Sequence, residues 1–83
     1  MILLKRQKKG AILIMTAKEM FEELGYKLIN DKNIVYKGTH FTGRIIHIAF
    51  FSDKQILITQ SIGIEELQAI NKQVEELGWN KED

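Results

Sequence analysis

The sequence contains no cysteine. That excludes a disulfide framework, a thiolate zinc site and a cysteine nucleophile, and leaves stability to packing and self-association. It also makes a reducing cytoplasm the expected location. No apolar stretch approaches the roughly 20 residues that cross a bilayer, so no membrane partner is expected. Imidazoles are limited to His40 and His47, and neither belongs to a His-x-x-x-His, His-Glu-x-x-His or EF-hand pattern. Ser52 and Ser61 have no base beside them in the chain and no Gly-x-Ser-x-Gly elbow, and the stretch between Gly38 and Gly43 lacks the spacing and the lysine of a phosphate loop. No catalytic, cofactor-binding or metal-ligating residue is therefore assigned, and the expectation is a protein that is not an enzyme and carries no cofactor.

What is present is globular. At 83 residues, with 45% hydrophobic and 28% charged residues, the chain fits one folded domain and buries about two-thirds of its unfolded surface. The charge is uneven. Residues 1–14 carry Lys5, Arg6, Lys8 and Lys9 with no acid, whereas the rest has more acids than bases. The net charge of +1 thus describes an acidic body, residues 15–83, behind a basic leader, residues 1–14.

The leader is not a secretory signal: Ala11-Ile12-Leu13-Ile14-Met15 is too short an apolar run and passes into Thr16, Lys18 and Glu19 without a cleavage pattern. Three further readings stand beside that of a frayed terminus. Ile2-Leu3-Leu4 or residues 11–14 would make an edge strand on the domain's sheet. Lys5, Arg6, Lys8 and Lys9 would contact nucleic-acid phosphates. Alternatively the leader is not native: Lys8-Lys9-Gly10 implies a purine-rich codon run just upstream of the Met15 codon, like a ribosome-binding site translated in frame, with natural initiation at Met15.

From Met15 the local signals are strong. Thr16-Ala17-Lys18-Glu19 fits a capping box, with Met15 and Met20 placed for a hydrophobic staple. Ala17, Met20, Phe21 and Leu24 form one helical stripe, and Gly25 followed by Tyr26 supplies a Schellman ending, so a helix is predicted over 17–24. The ending recurs: Val74-Glu75-Glu76-Leu77-Gly78-Trp79 repeats the pattern of Phe21-Glu22-Glu23-Leu24-Gly25-Tyr26. Ahead of it Ile64, Leu67, Ile70, Val74 and Leu77 mark the apolar face of a longer helix. Shared capping chemistry explains the repeat better than duplication, since the preceding segments do not align. Trp79 reads as the clamp on that helix end.

Between the helices the composition turns β-branched and aromatic. Ile34-Val35-Tyr36, Ile45 through Phe51 and Ile56-Leu57-Ile58-Thr59 read as strands, joined by residues 38–43 and 52–54 as hairpin turns. Residues 26–29 either form a fourth strand or run into the first. The expected fold is α+β, in the order α-β-β-β-α, with an antiparallel meander of three or four strands against two helices. In the middle strand Ile46, Ile48 and Phe50 line one face and Ile45, His47, Ala49 and Phe51 the other. Two helices cover one face, and a chain this small has little left to cover the second, which points to a second copy of the protein. The interface residues expected on this basis are Ile45, His47 and Phe51, with Phe41 as a loop aromatic that anchors a partner or folds onto the core.

The order helix, three strands, helix, with Phe-Glu-Glu-Leu-Gly-Tyr and Ile-Glu-Glu-Leu-Gln-Ala-Ile-Asn-Lys-Gln ending in Glu-Leu-Gly-Trp, resembles small uncharacterised proteins of Gram-positive phages and prophages over about residues 15–79. The resemblance implies a compact α+β accessory protein, with a phage or host protein as a further partner, and carries over no functional residue. The same element order occurs in double-stranded RNA-binding domains, which grip phosphates with lysines at the second helix start. Here that position reads Ser61-Ile62-Gly63-Ile64-Glu65-Glu66, whose carboxylates repel a nucleic-acid backbone. Self-association as a homodimer is thus the leading expectation. Nucleic-acid association through the leader and the lysines at strand ends is the alternative.

Overall fold

The computed structural model describes residues 15–79. The leader, with Lys5, Arg6, Lys8 and Lys9, lies outside the described residues, as do the readings placed on it. The described chain runs α1 (Ala17–Glu23), β1 (Lys27–Asn30), β2 (Ile34–Thr39), β3 (Ile45–Phe50), β4 (Ile56–Ile58) and α2 (Ile64–Leu77). The strands form one antiparallel sheet in chain order, β1-β2-β3-β4, with both helices on one side. The fold is the expected α+β meander, with residues 27–30 supplying the fourth strand.

Both helix ends follow from local chemistry. The Thr16 hydroxyl accepts the Glu19 backbone N–H at 3.1 Å, and the Glu19 carboxylate accepts the Thr16 N–H at 2.9 Å, closing the capping box. At the far end the Tyr26 N–H reaches the Phe21 carbonyl at 2.9 Å and the Gly25 N–H the Glu22 carbonyl at 3.0 Å. The end of α2 repeats both bonds, Trp79 to Val74 at 3.1 Å and Gly78 to Glu75 at 3.0 Å. Gly25 and Gly78 sit at φ +90° and +75°, where a side chain would be strained.

The core is centred on aromatic rings. Phe21 stacks on Tyr36 with centroids 4.0 Å apart, and Tyr26 and Phe50 meet Phe21 edge-on. Met20, Ile46, Ile48, Ala69 and Ile70 complete the buried cluster, with Met15, Leu24 and Trp79 packed at its margin. Two features depart from the sequence expectation. Gly38 belongs to β2, opposite Ile46, and the turn is confined to residues 40–43. A Cβ on Gly38 would lie 2.8 Å from the Tyr26 ring, so the glycine here makes room for an aromatic side chain and not for a turn. The apolar stripe of α2 is also displaced. Ile64 and Leu67 are exposed, whereas Gln73 is buried, its Oε1 accepting the Tyr36 hydroxyl at 2.8 Å. A polar side chain enters the core because a tyrosine O–H there requires an acceptor.

Burial and the nearby carboxylates hold both core tyrosines neutral. Desolvation first, and then the charges of Glu76 and Glu22, push the Tyr36 hydroxyl up to about 12. Tyr26 is likewise raised to about 12 by desolvation and by Glu66, whose Oε2 lies 3.5 Å from the hydroxyl.

Candidate association surface

Strand register decides what the side of the sheet away from the helices presents. Directly opposed residues of antiparallel strands share a face, so the pairs Tyr36–Ile48, Gly38–Ile46 and Ile34–Phe50 look into the helices. The intervening pairs Val35–Ala49, Lys37–His47 and Thr39–Ile45 look away from them. Lys27 extends one row of this open face opposite Lys37, and Leu57 extends another opposite Ala49.

The open face is striped. An apolar row of half-buried Val35, buried Ala49 and exposed Leu57 lies beside a cationic and polar row of Lys27, Lys37 and His47, with Ile45 beyond. Ile45 is 52% and Leu57 48% exposed, and Phe51 and Ile29 are also exposed. No described element covers this face. The expectation of an uncovered apolar surface therefore meets a more mixed one. The doubly apolar pattern belongs to β3 and to the short β4, and β1 and β2 add the two lysines.

The four expected interface residues fall in two places. Ile45, His47 and Phe51 lie along β3 and just past its end, Ile45 and Phe51 exposed and His47 half-buried. At His47 the backbone N–H donates to Thr59 Oγ1 at 2.8 Å and the carbonyl accepts the Thr59 N–H at 3.1 Å. Phe41 stands apart on the β2–β3 turn, 88% exposed, its ring 4.3 Å from that of His40.

His40 corrects the sequence reading that left it and Ser61 without partners. It is buried, with Nε2 at 2.9 Å from the Ser61 carbonyl and 3.1 Å from Ser61 Oγ, and Nδ1 at 2.7 Å from Thr42 Oγ1. A serine beside an imidazole raises the question of nucleophilic chemistry. The carbonyl answers it, because a carbonyl oxygen only accepts. The proton belongs on Nε2, and Nδ1 accepts the Thr42 hydroxyl. The nitrogen facing Ser61 is thus a donor and not a base, and the ring ties the β2–β3 turn to the segment leading into α2. Among the described residues no three His, Cys, Asp or Glu side chains converge to hold a metal ion, and no described helix is long and apolar enough to cross a membrane.

Charge divides between the layers. Every described acid other than Asp31 and Asp53 lies on a helix, and every described base other than Lys18 and Lys72 lies in a strand or in a connection between strands. The position of Leu57 and the Lys27–Lys37 pair were within reach of the sequence: counting back from the 52–54 turn opposes Leu57 to Ala49. The lysine pair required β1, which the sequence left open.

No protein family, curated protein or solved structure matches the chain.

Proposed function

We propose that the chain is a non-enzymatic association domain, acting in the cytoplasm by binding protein through the part of its sheet the helices leave uncovered, with a second copy of itself as the first partner. The observation that carries this reading is the set of large apolar side chains, Ile29, Ile45, Phe51 and Leu57, exposed on or beside a sheet face with no described cover. Isolated exposed apolar residues are ordinary, but several along one face mark an interaction surface. An accessory role in a phage or prophage rests on the resemblance of the element order and of the two helix strings over residues 15–79. Sedimentation velocity of the full chain across the micromolar range tests association: a mass that rises to that of a dimer supports it, and a monomer at every concentration overturns it.

A second reading is favoured by one specific feature. Lys27 lies directly opposite Lys37, an arrangement of like charges that costs stability in a sheet unless an anion relieves it. Together with the basic leader, this supports nucleic-acid association. Filter binding to single- and double-stranded DNA and RNA in a salt titration tests it. Affinity that falls steeply with salt supports the reading, and no binding at low salt removes it.

A further inference from the structure

The two edges of the sheet are built differently. β1 carries the devices that keep an edge from pairing: a lysine at its start, and a register shift between Leu28 and Asn30 that breaks the ladder. β4, only three residues long, carries neither the lysine nor the shift. Its residues Ile56, Leu57 and Ile58 are all exposed, its pairing with β3 is regular, and the chain from Gln55 through Gly63 holds no charge and no proline.

The hydrogen-bond phase of β4 fixes what a partner would meet. Thr59 N–H bonds to the His47 carbonyl at 3.1 Å, and Phe51 N–H to the Gln55 carbonyl at 2.8 Å. Hydrogen-bonded pairs alternate along an antiparallel ladder, so Leu57 directs its backbone groups to Ala49, while Ile56 and Ile58 direct theirs outward. An outward pair spaced two residues apart about a central residue is self-complementary. Turned about a two-fold axis through Leu57, Ile56 meets Ile58 of a second copy and Ile58 meets its Ile56, each pair exchanging both N–H and C=O.

Charge favours the same occupant. A face-to-face dimer of the open side brings the Lys27 and Lys37 rows of both copies into one interface, whereas edge pairing joins uncharged segments and leaves those rows facing solvent. On the helix side, exposed Ile56 and Ile58 supply apolar surface for the joint to cover.

We infer that β4 is a self-pairing edge, joining two copies antiparallel about Leu57 into one continuous sheet. This rests on the association reading above and specifies its site and geometry.

A chain without native cysteine makes the test direct. Across the axis the two Leu57 residues form a non-hydrogen-bonded pair, with Cα atoms about 4.5 Å apart, within the span of about 4.4–6.8 Å that a disulfide bridges. Under mild oxidation at micromolar concentration, Leu57→Cys in the full chain is expected to convert completely to covalent dimer on a non-reducing gel, while Ile45→Cys, on the open face away from the edge, stays monomeric. Should Leu57→Cys fold poorly, Gln55→Cys and Thr59→Cys chains are expected to cross-link when mixed and neither when alone, as the register requires.

Cross-linking of Ile45→Cys without Leu57→Cys overturns the edge geometry and leaves the association reading standing. Cross-linking of Leu57→Cys only after removal of residues 1–14 also overturns it, by placing the leader on the edge. No cross-linking, with a wild-type chain that sediments as a monomer, overturns both.

Discussion

Ile48 and Ile58 are the same residue type, face the same side of the same sheet and lie directly opposite one another. Yet Ile48 is 0% and Ile58 36% exposed. The difference is the helix layer. Phe21 of α1 stacks over Tyr36 of β2, and Gln73 of α2 bonds to the same tyrosine. Ile46, Ile48 and Phe50 of β3 join that cluster, whereas Ile56 and Ile58 of β4 are not part of it. The strand-forming signal is as strong in β4 as in β3. What separates core from surface is the reach of the helices.

Truncating both isoleucines separates the two strands most strongly. Ile48→Ala removes buried atoms from a packed cluster and is expected to cost about 2–5 kcal/mol. Ile58→Ala, in the monomer at low concentration, is expected to cost less than about 1 kcal/mol. Urea denaturation followed by circular dichroism measures both, and equal losses would show that β4 is as firmly roofed as β3.

Next in size is Gly38→Ala. A new Cβ meets the Tyr26 ring at 2.8 Å, on the covered side where that ring has little freedom, and the expected loss is about 1–3 kcal/mol. Tyr26→Leu in the same chain is expected to make the alanine less costly, so that the two losses do not add. Strict additivity would show that the two residues do not compete for space.

A pH series examines the covered side without mutation. Tyr36 and Tyr26 ionise near 10 when unfolded and at about 12 when folded, so the unfolded chain gives up its protons first. Their contribution to stability is therefore fully present below pH 10 and is lost as pH rises toward 12. Melting temperatures read from pH 8 upward are expected to be level and then to fall, with tyrosinate absorbance appearing late in the folded protein. Normal tyrosine titration with no change in stability would place both hydroxyls in water.

The smallest effect belongs to the turn that feeds β4. Lys54 has φ +67°, a conformation that costs an L-residue about 1–2 kcal/mol relative to glycine's easy access. Glycine's larger unfolded-state entropy offsets part of this, so Lys54→Gly is expected to gain about 0.5 kcal/mol. A loss would mean that the lysine side chain holds the turn.

Much of this architecture was legible in the residues. Thr16 with Glu19, and the two Leu-Gly-aromatic endings, act through bonds within a few residues, so the helix bounds could be read locally. The other three strands followed from β-branched runs. β1 was harder because Lys27 and Asn30 leave only Leu28 and Ile29 as an apolar signal, and its bulge breaks the alternation. Gly38 read as a turn because glycine's local meaning is conformational, whereas here it accommodates a ring from Tyr26, twelve residues earlier in the chain. Gln73 gave no apolar signal, and its burial depends on the Tyr36 hydroxyl. The exposure of Ile64 and Leu67 was equally hidden, since periodicity locates a stripe but not how far its neighbour extends. The open edge at β4 is a property of sheet order, which only the assembled fold displays.

The most direct measurement compares the wild-type chain with Leu57→Lys by sedimentation velocity at matched micromolar concentrations. The wild type is expected to be a dimer and the variant a folded monomer, because the substitution opposes two charges on the axis at an exposed position. A monomeric wild type, or a variant that dimerises as well as the wild type, would contradict it.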